Sequence, residues 1–239
     1  MKILALDTSG LTASVAVVTE DTLLASYKIE HKKTHSQTLL PMLDEICKMI
    51  ELDLNDIDAI AIAKGPGSFT GLRIGSATTK GLAMALGKPI VEIKTVEGLA
   101  YQLFGVEGLI CPIMDARRGQ VYTGLYRFVR KADRYQFETV MDQVPMSMEE
   151  MIHILNKRLE HVVFLGDGVS VHKQFIDESM VVPYEFAPAH CNRQNAAAIG
   201  TLAIEYFEQG KTVDADSHEP EYLRLSQAER EKLEKVNVK

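Results

Sequence analysis

The chain has 239 residues, a formal net charge of −7 and a sequence pI near 5.5. That length can bury a full core in one or two domains. A protein that grips RNA by itself usually carries a basic surface, so the acidic balance leaves room only for a local RNA contact. Cys47, Cys111 and Cys191 form no CxxC pair, and an odd count without a signal peptide fits a reducing compartment. Asp7 interrupts the N-terminal apolar run, and no stretch reaches the roughly 18 apolar residues of a membrane span. These features predict a soluble cytoplasmic protein with no membrane contact.

Residues 3–7 read as a buried strand ending in Asp7, with Thr8-Ser9-Gly10 as its turn. Two more strands, 13–19 and 23–29, complete a meander. Asp7, beside Thr8 and Ser9, reads either as a ligand to a phosphate-bound metal or a water, or as a turn cap. A helix is predicted over 36–50, where Leu39, Leu40, Leu43, Ile46, Cys47 and Ile50 recur at helical spacing. Pro41 is tolerated best there if the helix begins late. His35 invites a metal reading, but a metal helix offers a second ligand three or four residues on. Position 39 is Leu39, so no metal site is assigned.

The stretch from Gly65 to Gly75 dominates the middle of the chain. It follows a strand over 59–63 and opens a helix over about 70–86, so it is a glycine-rich strand-to-helix turn. Gly65 and Gly67 permit backbone angles closed to other residues. Ser68 or Thr70 can cap the helix. The N–H groups at such a start can hold an anion, making Asp7, Thr8, Ser9, Gly65, Gly67, Ser68 and Thr70 candidate anion or nucleotide contacts. A packed turn with nothing bound is the other reading. No Gly-Lys-Ser/Thr follows, so this is not a Walker A loop. Gly71 and Gly75 share a helix face, which suits close packing within the chain or against a partner.

A strand over 89–93 and a helix over 95–104, capped by Thr95, lead to a hinge at 105–108. The pattern then restarts. Strand 109–114 ends in Asp115; strands 121–128 and 135–144 follow. Helix 147–157 carries Ser147 and Glu150 as a capping box. Strand 162–165, the turn Gly166-Asp167-Gly168, helix 171–177, strand 181–186 and helix 195–207 complete it. The layout is duplicated: each half begins with a strand ending in aspartate and has a G-x-G turn before a helix. This predicts an α/β protein of two actin-like (ASKHA, RNase H-like) domains, residues 1–105 and 106–210, with the last helix, about 195–208, packing back on the first. The polar tail 211–239 is expected to be partly disordered, above all from Ser226.

Five segments carry a family resemblance: Leu4-Ala5-Leu6-Asp7-Thr8-Ser9, His35-Ser36-x-x-Leu39-Leu40-Pro41, Gly65 to Gly75, Asp115-Ala116-Arg117-Arg118-Gly119-Gln120-Val121-Tyr122 and Pro220-x-Tyr222-Leu223-Arg224. In that order they resemble the TsaB (YeaZ) family. The resemblance implies a role in making N6-threonylcarbamoyladenosine at position 37 of tRNAs that read ANN codons. TsaB is similar to the catalytic subunit TsaD without being the transferase, and TsaD's helix carries an HxxxH metal site where this chain has His35 and Leu39. The implied partners are a TsaD-like catalytic subunit, a TsaE-like ATPase and tRNA through the complex, with a homodimer when the chain is alone. ATP, threonylcarbamoyl-adenylate and metal are expected on the partner subunits, and no cofactor on this chain. The implied partner surface is the helix pair, taken here as His35, Ser36, Leu39, Leu40, Leu43, Ile46, Gly71, Arg73 and Gly75. Arg73 lies near the helix start, where a cation is unfavourable, so it is expected to have an acidic or phosphate partner. Arg117 and Arg118 read as tRNA or nucleotide contacts, or as a solvated turn.

Two other classes stay open. Asp7, Asp115 and the G-x-G turns also suit an actin-like or sugar-kinase-like ATP-using enzyme, although no clear base sits beside a nucleophile. A protease would need G-x-S-x-G or HExxH, and neither is present.

Overall fold

A computed structural model describes residues 1–31 and 34–224. The first half runs β1 (Lys2–Asp7), β2 (Thr12–Thr19), β3 (Leu23–Glu30), α1 (His35–Met49), β4 (Ala59–Gly65), α2 (Phe69–Leu86), β5 (Ile90–Lys94) and α3 (Thr95–Tyr101). The second runs β6 (Leu109–Asp115), β7 (Gln120–Lys131), β8 (Arg134–Ser147), α4 (Met148–Arg158), β9 (Val162–Leu165), α5 (Gly168–Ser179), β10 (Tyr184–Phe186) and α6 (Ala196–Glu208). One sheet has the order β3-β2-β1-β4-β5 and the other β8-β7-β6-β9-β10. The two orders are the same. In each, the first three strands are antiparallel neighbours and the next two add in parallel. This is the actin-like layout in duplicate.

The alternation of side chains along each strand decides the layering. In β1, Leu4 and Leu6 join Leu39, Leu43 and Ile46 of α1 in one apolar core. Ile3 and Ala5 point the other way, into a core shared by α3, α6 and the inner face of the second sheet. The outer face of the second sheet packs on α4 and α5. The result is five layers, helices–sheet–helices–sheet–helices, with both faces of the central strands β1, β4, β6 and β9 covered, as parallel pairing requires, while the antiparallel edge strands β3 and β8 stay partly exposed. α6 is the last helix, yet it packs on β1 and β2.

Several local expectations change. α1 begins at His35, so Pro41 lies inside the helix; both it and Gln37, whose carbonyl loses its partner, are exposed to water. α3 is capped from Lys94, and the Thr95 hydroxyl makes no hydrogen bond. α5 is longer than the predicted 171–177, and β10 shorter than 181–186. The box at Ser147 and Glu150 forms as read, with both reciprocal bonds present, and Ser68 is the cap of α2.

The polar segment 211–224 is an ordered strap. Val213 exchanges two backbone hydrogen bonds with Ile90, and Glu221 N donates to Lys64 O. His218 is buried, its Nδ1 2.7 Å from Glu92 Oε1. The expectation of disorder from Ser226 falls on residues 225–239, outside the described residues.

Candidate functional site at the aspartate turns

The C-terminal ends of β1 and β4 bring Asp7, Thr8 and Ser9 against the loop Gly65–Thr70. Asp7 is buried, and its Oδ1 accepts from Ser9 N at 2.9 Å and Ser9 Oγ at 2.6 Å. Burial raises its pKa, and the two Ser9 bonds work against that. Ser68 N donates to Ser9 O at 2.7 Å, Gly71 N to Ser68 Oγ, and Thr8 Oγ1 to Gly71 O at 2.8 Å. Two of the N–H groups that an anion would use are therefore bonded within the chain. The glycines allow the contact: a Cβ at Gly67 would overlap the Ser9 carbonyl oxygen, and one at Gly71 that of Thr8.

Since the folded pKa of Asp7 lies above its unfolded value, ionisation costs stability. That cost is absent below the unfolded pKa and grows as pH rises to the folded one. Asp7→Asn keeps an oxygen for Ser9 and loses the charge. It is expected to be more stable than the wild type at pH 7, with the gap closing in urea melts as pH falls towards 3. A gap that widens in acid would show that the carboxylate is a stabilising ion.

The second aspartate turn is built differently. Asp115 Oδ1 accepts from Arg117 N at 2.8 Å, and Asp167 Oδ1 accepts from Asp115 N at 3.2 Å. Burial raises the Asp167 pKa, partly opposed by the Asp115 N–H bond and by Arg193. The segment before α6 fills the space between the two turns. Arg193 Nε meets Glu30 at 3.2 Å, while its carbonyl accepts from Lys28 and Gln102. Gln194 is buried against Gly10. Cavities of about 490 and 600 Å³ lie elsewhere, around Glu92, Lys94 and Asp142 and around Val106, His161 and Phe186.

The helix pair presents a different surface from the one read in the sequence. Leu39, Leu43 and Ile46 are buried in the chain's own core, and Gly71 and Gly75 sit on Thr8. None of the five is free to touch a partner in this conformation. The outward residues are Ser36 and Leu40 on α1, and Arg73, Ala77, Gly81, Met84 and Ala85 on α2. Leu40 is 53% and Met84 67% exposed. Thr70 is exposed, as are Arg117 and Arg118. Met84 escaped the sequence reading, although its spacing from Ala77 and Gly81 marks one helical face. Among the described residues Arg73 pairs with no carboxylate: its guanidinium lies over the Phe69 ring at 4.0 Å and bonds the Tyr222 hydroxyl at 3.4 Å.

A metal centre of the kind implied for the catalytic relative does not fit here. His35 Nε2 is 2.8 Å from Gly10 O, and Leu39 at the second-ligand position is buried. Among the described residues, no group of three His, Cys, Asp or Glu is placed to hold a metal. One imidazole alone is too few ligands for a protein metal site.

A family model described as TsaD, tRNA N6-adenosine threonylcarbamoyltransferase, matches residues 22–232. The tRNA threonylcarbamoyladenosine biosynthesis protein TsaB of Bacillus subtilis (strain 168) is 35% identical, covering 98% of this chain and 99% of its own length. TsaB of Escherichia coli (strain K12) is 31% identical over 94% of this chain and 95% of its own. The solved structure of YeaZ from Pseudomonas aeruginosa superimposes with a TM-score of 0.75 at 27% identity, covering 93% of this chain and 99% of that one. Alike nearly end to end in sequence and in fold, the chain belongs to the TsaB (YeaZ) family.

Proposed function

We propose that this chain works in the biosynthesis of threonylcarbamoyladenosine in tRNA, as a non-catalytic subunit required for threonylcarbamoyl transfer to N6 of adenosine 37. It pairs with a TsaD-like catalytic subunit through the outward faces of α1 and α2, a TsaE-like ATPase joins the pair, and the same surface makes a homodimer when the partner is absent. The setting is the cytoplasm; among the described residues, no helix is long and apolar enough to cross a membrane. ATP, threonylcarbamoyl-adenylate and metal belong to the partner subunits.

The observation that carries this reading is the end-to-end match to relatives that bear the TsaB name. The local chemistry supports it. His35 has no second imidazole beside it, Asp7 is spent on Ser9, and Arg193 and Gln194 fill the space between the aspartate turns. The exposed Leu40 and Met84, set among small residues, offer a face on which another helix can lie closely.

The test is reconstitution with TsaD- and TsaE-like subunits, threonylcarbamoyl-adenylate, ATP and tRNA, following the modified adenosine. Turnover is expected to need this chain and never to arise from it alone. Product from this chain by itself would return Asp7, Asp115 and the glycine turns to the role of a catalytic cleft. No dependence on the chain would remove it from the reaction.

A further inference from the structure

Three segments far apart in sequence meet on one face. Tyr222 of the strap packs against Phe69 with the rings tilted by 40° and their centroids 4.9 Å apart, and the Arg73 guanidinium covers the same Phe69 ring at 4.0 Å. Two residues on, Arg224 Nη1 donates to Ala116 O at 2.7 Å. Ala116 opens the β6–β7 turn, whose next residues are Arg117 and Arg118. Four arginines are thereby strung along a short path of contacts in a chain of net charge −7. Among the described residues none of the four forms an ion pair.

The turn itself is costly. Arg117, Arg118 and Gly119 are all left-handed, with φ of 63°, 59° and 72°. Glycine or asparagine would take the first two places with less strain. Two long cationic side chains instead stand there exposed, and strain of this kind is concentrated at sites that bind. A guanidinium fork matches two phosphate oxygens at once. Exposed Tyr222, 40% accessible, adds an aromatic edge that suits nucleic acid.

The geometry points to this face, Arg117 and Arg118 with Arg224 beside Tyr222, as a contact for the phosphate backbone of the tRNA, next to the α2 surface that meets the TsaD-like subunit. The inference rests on the reading of the chain as a subunit that works on tRNA. It gives the subunit a direct share in holding the substrate, as a local patch on an acidic protein.

The test uses the complex with the TsaD-like subunit and an unmodified tRNA reading an ANN codon, with affinity followed by fluorescence anisotropy between roughly 50 and 200 mM salt. The variant is Arg117→Asn with Arg118→Asn, since asparagine accepts left-handed backbone. The control is Arg130→Asn with Arg134→Asn, the same charge change on the exposed β7–β8 turn. The turn variant is expected to bind tRNA about tenfold more weakly and to lower the slope of log K against log salt by about 2, one per phosphate contact. The control is expected to match the wild type, and both variants to keep the TsaD-like subunit. An unchanged affinity and slope would overturn the inference, as would an equal loss in the control. Loss of the TsaD-like subunit from the turn variant would also overturn it, by making this face a protein contact. A wild-type complex that neither binds nor modifies tRNA would instead overturn the functional reading beneath it.

Discussion

Gly71→Ala is expected to destabilise the protein by about 2–3 kcal/mol, even though alanine is the better helix former. The added Cβ would overlap the Thr8 carbonyl oxygen, which is backbone and cannot swing aside. Thr8 is further held by its own hydroxyl, which donates to Gly71 O. The clash must therefore push α2 away from the β1–β2 turn and loosen the Ser68 N to Ser9 O bond with it. At Gly81, farther along the same helix, an added Cβ would meet nothing within 4 Å. There Gly→Ala should stabilise by roughly 0.5–1 kcal/mol, through the smaller entropy of the unfolded chain. Urea unfolding of the two variants checks this, and it is the opposite signs that matter. Stabilisation by both would mean that α2 does not sit tightly on the turn.

Leu40→Asp combined with Met84→Asp is expected to abolish pairing with the TsaD-like subunit while leaving the fold intact. Both side chains are exposed in the isolated chain, so charges there cost the monomer little. If they are the apolar anchors of a helix-on-helix contact, each is worth about 2 kcal/mol, and losing both weakens the complex close to a thousandfold. Size-exclusion chromatography reads the complex, thermal melting reads the fold, and modified adenosine should fall with the complex. A variant that pairs normally would move the interface off these two helices. The converse substitution, Leu43→Asp, should unfold the chain, since Leu43 lies in its core between α1 and the sheet.

Much of this architecture is legible from residues alone, because its signals are local. A strand ending in Asp7 and another ending in Asp115, each followed by two strands and a helix, announce two sheets of one order. Ser147 and Glu150 announce a helix start, since both bonds of the box lie within four residues. The face of α1 is another matter. Leu39, Leu43 and Ile46 repeat at helical spacing, which shows that one side is apolar but not what covers it. A core-facing stripe and a partner-facing stripe look alike until the sheet is in place. The strap was illegible for a related reason. Residues 211–224 have no periodicity, and what orders them is distant: Ile90 for Val213, Glu92 for His218, Lys64 for Glu221. Pairings across more than a hundred residues leave no trace in spacing. The meeting of Arg73, Arg224 and Arg117 belongs to the same class.

The position of α6 bears on how the chain comes off the ribosome. Its Gly200 lies so close to the first sheet that a Cβ would press on Val18 and Ala5, and Ile199 and Ala203 share the core with Ile3 and Ala16. The inner face of the N-terminal sheet thus stays partly bare after α3 is made, until about a hundred further residues have been translated. At ordinary elongation rates that is roughly 5–20 s during which apolar strand faces await their cover. The N-terminal half therefore cannot finish folding first, as N-terminal units usually do. Nascent chains stalled before Ala196 should expose it to proteases and to chaperones, and release of α6 should close it.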